Sequence, residues 1–169
     1  MIKLFSVYCL LTLAIGFIGC SSGSRKTDAP PYVGKWVVSA DSITELTSSM
    51  KENTPDNEGM AAMRDMMVEQ IETQMNSMAM LIQTNSITAH TTKGIDQNPL
   101  KVTKIDDQNY RFESQTDKGV EIADVEILGT DQIKFSGKTA EDGPPIRLVR
   151  VDEAEFNRRI ALAKENAKK

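Results

Sequence analysis

Val33-Gly34-Lys35-Trp36-Val37-Val38-Ser39 is the stretch on which the fold turns. It is short, β-branched and aromatic, and it opens after Pro30-Pro31, so it reads as a first β-strand. Trp36 is the only tryptophan in the chain. Downstream of position 86 the same kind of segment recurs, at 87–91, 100–105, 110–114, 120–128, 132–136 and 146–151. Turn residues separate these runs: Gly94, Asn98-Pro99, Asp106 to Asn109, Asp117 to Gly119 and Gly129 to Asp131. Tyr110 and Phe112 share one face of their strand, as period-two alternation requires. Short strands joined by tight turns predict an antiparallel meander that curls into a half-barrel or closes into a barrel.

Helical signals stand on either side of that meander. After the first strand, Asp41-Ser42 offers a cap with Glu45 three residues beyond Ser42, predicting a short helix over 43–50. Thr54 then caps and Pro55 suits a first helical position, where its missing N–H costs nothing. Met60, Met63, Met67, Ile71, Met75 and Met78 recur at three- and four-residue steps, which predicts an amphipathic helix to Met78. Asp152 caps a last helix from Glu153 to about Lys164. The fold class is α+β, with a helical insertion after the first strand and a C-terminal helix, spanning 33–165 as one domain.

The N-terminus has a different character. Lys3 precedes an uncharged run from Leu4 to Gly19, near the short limit of the ~20 apolar residues a spanning helix needs. A charged start, an apolar middle and a small residue before a polar run are the marks of a removed secretory signal. Phe17-Ile18-Gly19-Cys20 resembles the lipobox of bacterial lipoproteins. That resemblance implies cleavage between Gly19 and Cys20, diacylglycerol on the Cys20 sulfur, and acylation of the new amino terminus with a palmitate-type chain. Residues 1–19 would then be the signal and 20–32 a lipidated tether, flexible through its serines and stiffened by Pro30-Pro31. Several acyl chains suffice for a stable anchor, since one alone holds only marginally. Ser21 rather than Asp after the cysteine implies the outer membrane, periplasmic face, or the cell membrane in a Gram-positive host.

Charge and cysteine use narrow the function classes. The chain has 20 basic and 24 acidic residues; losing 1–19 removes Lys3 and no acid, so 19 against 24 takes the net charge from −4 to −5. A nucleic-acid binder would want a basic face instead. With Cys9 in the signal and Cys20 lipidated, no thiol remains for a disulfide, a metal site or a nucleophile.

Gly34-x-Trp36 on the first strand, a Met-rich helical stretch, a run of strands and a closing Leu148-Val149-Arg150 are together similar to small bacterial lipocalin-like domains. The resemblance covers most of residues 33–151. It implies a barrel or half-barrel with one sealed end, where Trp36, next to Gly34, packs under Arg150. The strand alternation itself leaves Arg147 as a competing partner. It also implies a small hydrophobic ligand, for which Met63, Met67, Ile71, Met75 and Met78 are the candidate pocket lining.

Other constellations are thin. Met78-x-Met80 near Trp36 or His90 could hold Cu(I), because thioethers are soft ligands. Helical spacing instead favours methionines as adaptable packing groups. His90 is the only histidine and sits on a predicted strand, where a hydrogen-bonded or exposed ring is expected. No phosphate-cradling glycine loop and no nucleophile elbow is present. No catalytic residue, metal or cofactor is therefore expected. The sequence leads to a non-enzymatic envelope lipoprotein that binds the bilayer through Cys20 and a small hydrophobic ligand in its barrel. The alternative is a protein-interaction or inhibitor module, with Cu(I) binding or hydrolysis further behind.

Overall fold

Period-two alternation sorts the strand side chains into two sets, and closing the sheet turns one set into a core. In the computed structural model, which describes residues 29–53, 58–117, 119–137 and 144–168, the elements are β1 (Gly34–Val38), α1 (Ala40–Asn53), α2 (Glu58–Ser77), β2 (Ala79–Ile82), β3 (Ser86–Thr91), β4 (Gly94–Lys104), β5 (Asn109–Thr116), β6 (Gly119–Ile127), β7 (Gln132–Gly137), β8 (Ile146–Arg150) and α3 (Glu153–Asn166). The eight strands form a closed barrel in chain order. Each pairs antiparallel with its neighbour, and β1 meets β8 with Trp36 opposite Arg150, Val37 opposite Val149 and Val38 opposite Leu148. The fold is thus the α+β barrel, lipocalin-like in architecture, with the helical insertion after the first strand.

The barrel is filled by its own side chains. Trp36, Ile82, Phe112, Val125, Ile133 and Leu148 are buried in one cluster with Tyr110 and Leu100. The aromatic rings meet edge to face: Tyr32 lies 5.2 Å from both Tyr110 and Phe112, and Phe112 lies 5.5 Å from Phe135. Such pairs add about 0.5–1.5 kcal/mol beyond the area they bury. A second, smaller core lies outside the barrel wall, where Val37 and Ala79 turn outward to meet Phe156 of α3. An ion pair from Lys35 to Glu153 and a bond from the Arg159 guanidinium to the Asn76 carbonyl fasten α3 to the wall and to α2. Among the described residues no helix is long and apolar enough to cross a membrane.

Several boundaries differ from the sequence reading. The tether was expected to run to residue 32, yet Tyr32 is buried in the barrel, and the carbonyls of Pro30 and Pro31 accept bonds from Val33 and Arg150. An aromatic ring with an interior slot is worth more to the core than to a linker. Helix α1 starts at Ala40, and its cap is Ser39, whose Oγ accepts from the Ser42 amide at 3.2 Å. Ser42 instead spends its hydroxyl across space, accepting from the Arg147 amide at 2.8 Å. Met80-Leu81-Ile82 belongs to a strand, β2, and Asn98-Pro99 lies inside β4 instead of breaking it. Pro99 is tolerated because the Leu100 amide bonds the Asn85 carbonyl, so the proline nitrogen faces the β5 side, where the ladder begins only at Leu100. Asp152 caps α3 as expected, accepting from the Glu155 amide. Gly19, Cys20, the tether to residue 28, and the Thr54-Pro55 cap lie outside the described residues.

Candidate functional site at the open barrel end

The two ends of the barrel are built differently. At one end β1 begins and β8 finishes, and there the Arg150 guanidinium lies over the Trp36 ring, 4.4 Å from its centroid. Its Nη1 donates to the Val33 carbonyl at 2.7 Å, Nη2 to Pro31 at 2.6 Å and Nε to Thr130 at 3.3 Å. The Trp36 indole N–H donates to the Tyr32 carbonyl at 2.9 Å. Gly34 is the residue that lets this happen: a Cβ there would stand 2.2 Å from Arg150 Nη1. Gly34, Trp36 and Arg150 therefore form one sealed plug. Arg147, the competing partner, points elsewhere and pairs with Glu45 of α1 at 3.2 Å.

At the opposite end β1 finishes at Val38 and β8 begins at Ile146. Helix α1 leans over this mouth with Ile43 in the barrel core, and the end of α2 brings Met75 alongside. Between them is a pocket of about 200 Å³. Val38, Ile43, Leu46, Met75 and Ile146 make its apolar floor and walls, while Ser42, Glu45, Lys134 and Arg147 stand at the rim. Lys134 also bonds Glu126 at 2.9 Å. The arrangement can hold a short apolar group with a polar end at the charged rim. Among the described residues it brings together no convergent set of acid, base and nucleophile.

The five residues proposed as one pocket lining do not share a cavity. Met75 lines the mouth, and Met78 packs against the barrel core. Ile71 is half-buried, while Met63 and Met67 are 61% and 48% exposed on the outer face of α2. The physical reason is the helix's seating. Val68 is the buried anchor of α2, and residues 63 and 67 lie about a quarter turn or more away from it. Leu46 and the rim pair Lys134 and Arg147 were missed, because the docking of α1 over the mouth leaves no local signal.

The Cu(I) grouping also separates. Met80 stands opposite Trp36 and packs toward the barrel core, whereas His90 pairs with Ala79 and faces outward against Phe156, with ring centroids 5.9 Å apart. Burial, and then the Lys164 charge, holds His90 below its ordinary pKa, and its Nδ1 is buried without a hydrogen-bond partner. Among the described residues no three His, Cys, Asp or Glu side chains are grouped to hold a metal ion. Asp106 serves its turn, accepting from the Gln108 and Asn109 amides, and Asp124 pairs with Arg111 at 2.9 Å. The chain matches no protein-family model, no curated protein and no solved structure.

Proposed function

We propose that this protein is a non-enzymatic lipoprotein of the bacterial envelope, anchored through acylated Cys20, whose barrel binds a small amphiphilic ligand at its mouth. The pocket beside Met75 carries the reading: it is the apolar opening at the end away from the Arg150 plug, and its rim bears two basic side chains. A cavity of about 200 Å³ is smaller than a drug-sized site, so the ligand is a short chain or a single ring. The filled interior beneath it supports the same size limit. An anionic end fits Lys134 and Arg147, each of which has an acidic neighbour to exchange. The anchor keeps the site at the outer membrane's periplasmic face, or at the cell membrane of a Gram-positive host.

Binding of straight-chain carboxylates tests this. Each buried methylene contributes about 0.8 kcal/mol, so affinity should rise about fourfold per added carbon and then plateau when the pocket is full. Octanoate should shift the Met75 methyl resonance, and Leu46→Trp, which fills the pocket, should abolish the shift. Indifference of Met75 to the whole series would end the ligand reading. For the anchor, Cys20→Ser should release the protein from the membrane fraction; membrane retention with no lipid label lost would overturn it.

A further inference from the structure

Beyond Phe156, helix α3 runs past the β3–β4 hairpin and leaves a cleft of about 240 Å³ between them. Ile160, Ala163 and Ala167 make its helix wall, and Ile95, 61% exposed, belongs to its strand wall. Two lysines line it, Lys93 from the hairpin turn and Lys164 from α3, and among the described residues no carboxylate does. Strand alternation turns Asp96 to the face opposite Ile95, and Glu165 lies about 100° around α3 from Lys164. Lys35, Lys101, Lys104 and Lys134 each bond a carboxylate, whereas Lys93 and Lys164 bond none among the described residues. The chain carries a net charge of −4, yet the charged pair in this cleft is cationic.

The cleft also has polar groups to spare. His90 lines it, with its Nδ1 buried and without a hydrogen-bond partner. The Thr91 hydroxyl is committed to the turn, accepting from the Lys93 amide and donating to the Gly94 carbonyl, but the Thr92 hydroxyl has no partner among the described residues. Burial first, and then the Lys164 charge, holds His90 below its ordinary pKa, so the Lys164 charge is felt at the ring. We propose that this cleft binds a small phosphate monoester, with its phosphate at Lys93 and Lys164 and its organic group against Ile95, Ile160 and Ala163. Two ammonium groups balance a dianion, and lysine binds phosphate as a point charge. The volume limits the organic group to a single ring or a short chain. No residue of the mouth pocket lines this cleft, so the two sites respond to different ligands.

His90 is the only histidine, so its ring resonances report on this cleft alone. The test uses the folded protein with labelled histidine rings and methionine methyls, at about pH 7.5, where a phosphate monoester is a dianion. Phenyl phosphate should shift His90 saturably, with half-saturation at or below about 1 mM, and leave the Met75 methyl in place. Phenol has the ring without the charge and inorganic phosphate the charge without the ring, and each should bind about tenfold more weakly. Lys93→Gln/Lys164→Gln should weaken phenyl phosphate about tenfold or more. Both lysines are exposed, so the variant should unfold as the parent does. If it does not, the parent itself supplies the charge test, because its affinity should fall severalfold between about 50 and 500 mM salt. The proposal is overturned by the absence of a saturable His90 shift up to about 5 mM phenyl phosphate, by equal binding of phenol, or by undiminished binding in the folded double variant. It is also overturned if inorganic phosphate binds as tightly as the ester, which indicates an ion site only, or if His90 responds to phosphatidylglycerol vesicles and not to the ester, which indicates a lipid surface. A shift of Met75 without His90 overturns it too, because the ester then occupies the mouth.

Discussion

Gly34 has no side chain where Arg150 already stands. The guanidinium is held by carbonyls at 31, 33 and 130 as well as by the indole face, so it cannot swing away cheaply from a new Cβ. Gly34→Ala should cost about 1–3 kcal/mol through overpacking. Arg150→Ala should cost about 2–4 kcal/mol, from charged hydrogen bonds to carbonyls left unpaired and from the lost cation–π contact. In the double variant the alanine at 34 should be nearly silent, a non-additivity that urea unfolding followed by circular dichroism can measure. Additive costs would mean that the two residues do not share one contact. This plug was legible as a resemblance, because a glycine two before a tryptophan and an arginine on the last strand are local marks. Tyr32 beneath it was not legible, since nothing near an aromatic after two prolines says that a slot awaits it.

At the scale of elements, α3 is held by one ring and a charge cluster. Phe156 fills the outer core against Val37 and Ala79, and Phe156→Ala should destabilise by about 3–5 kcal/mol in urea unfolding. Two groups on this interface titrate in separate windows. The bonds from Arg158, then Arg159, bring Glu155 down to about 2 against an ordinary 4.5. Its contribution is therefore complete above 4.5 and is lost as pH falls through about 2. His90, lowered from 6.5 mainly by burial, behaves differently: the unfolded chain takes its proton first. Stability should be full above 6.5 and decline as pH drops from there through the lower folded value. His90→Leu should flatten the slope of stability below pH 6.5, without changing the Glu155 loss at lower pH. An unchanged slope in that variant would place the titrating group elsewhere. The helices were less legible than the strands. The spacing of Met60 to Met78 announces a helix, but α2 carries apolar residues on two faces, and only docking chooses Val68 over Met63 for burial.

For the molecule as a whole, barrel closure makes every strand depend on both neighbours, and β1 is the strand through which the ring shuts. Trp36, fully buried at that seam, reports on the ring. Its emission should be blue-shifted in the native protein, and its loss should coincide with the far-ultraviolet transition, since a single closed core of this size unfolds cooperatively. Separate transitions would show the helices melting apart from the barrel. The positions of β1, β3 and β5 to β8, the turns at Asp106 and Gly119, the Asp152 cap and the shared face of Tyr110 and Phe112 follow from the sequence alone. A period of two leaves each strand only one way to put its apolar side inside. Closure rather than a half-barrel, the filled interior, the mouth under α1 and the outward methionines were decided only by tertiary structure. Those features depend on where whole elements dock, and a helix with two apolar faces, or a strand as short as Ala79–Ile82, carries no local mark of which side its partner will take.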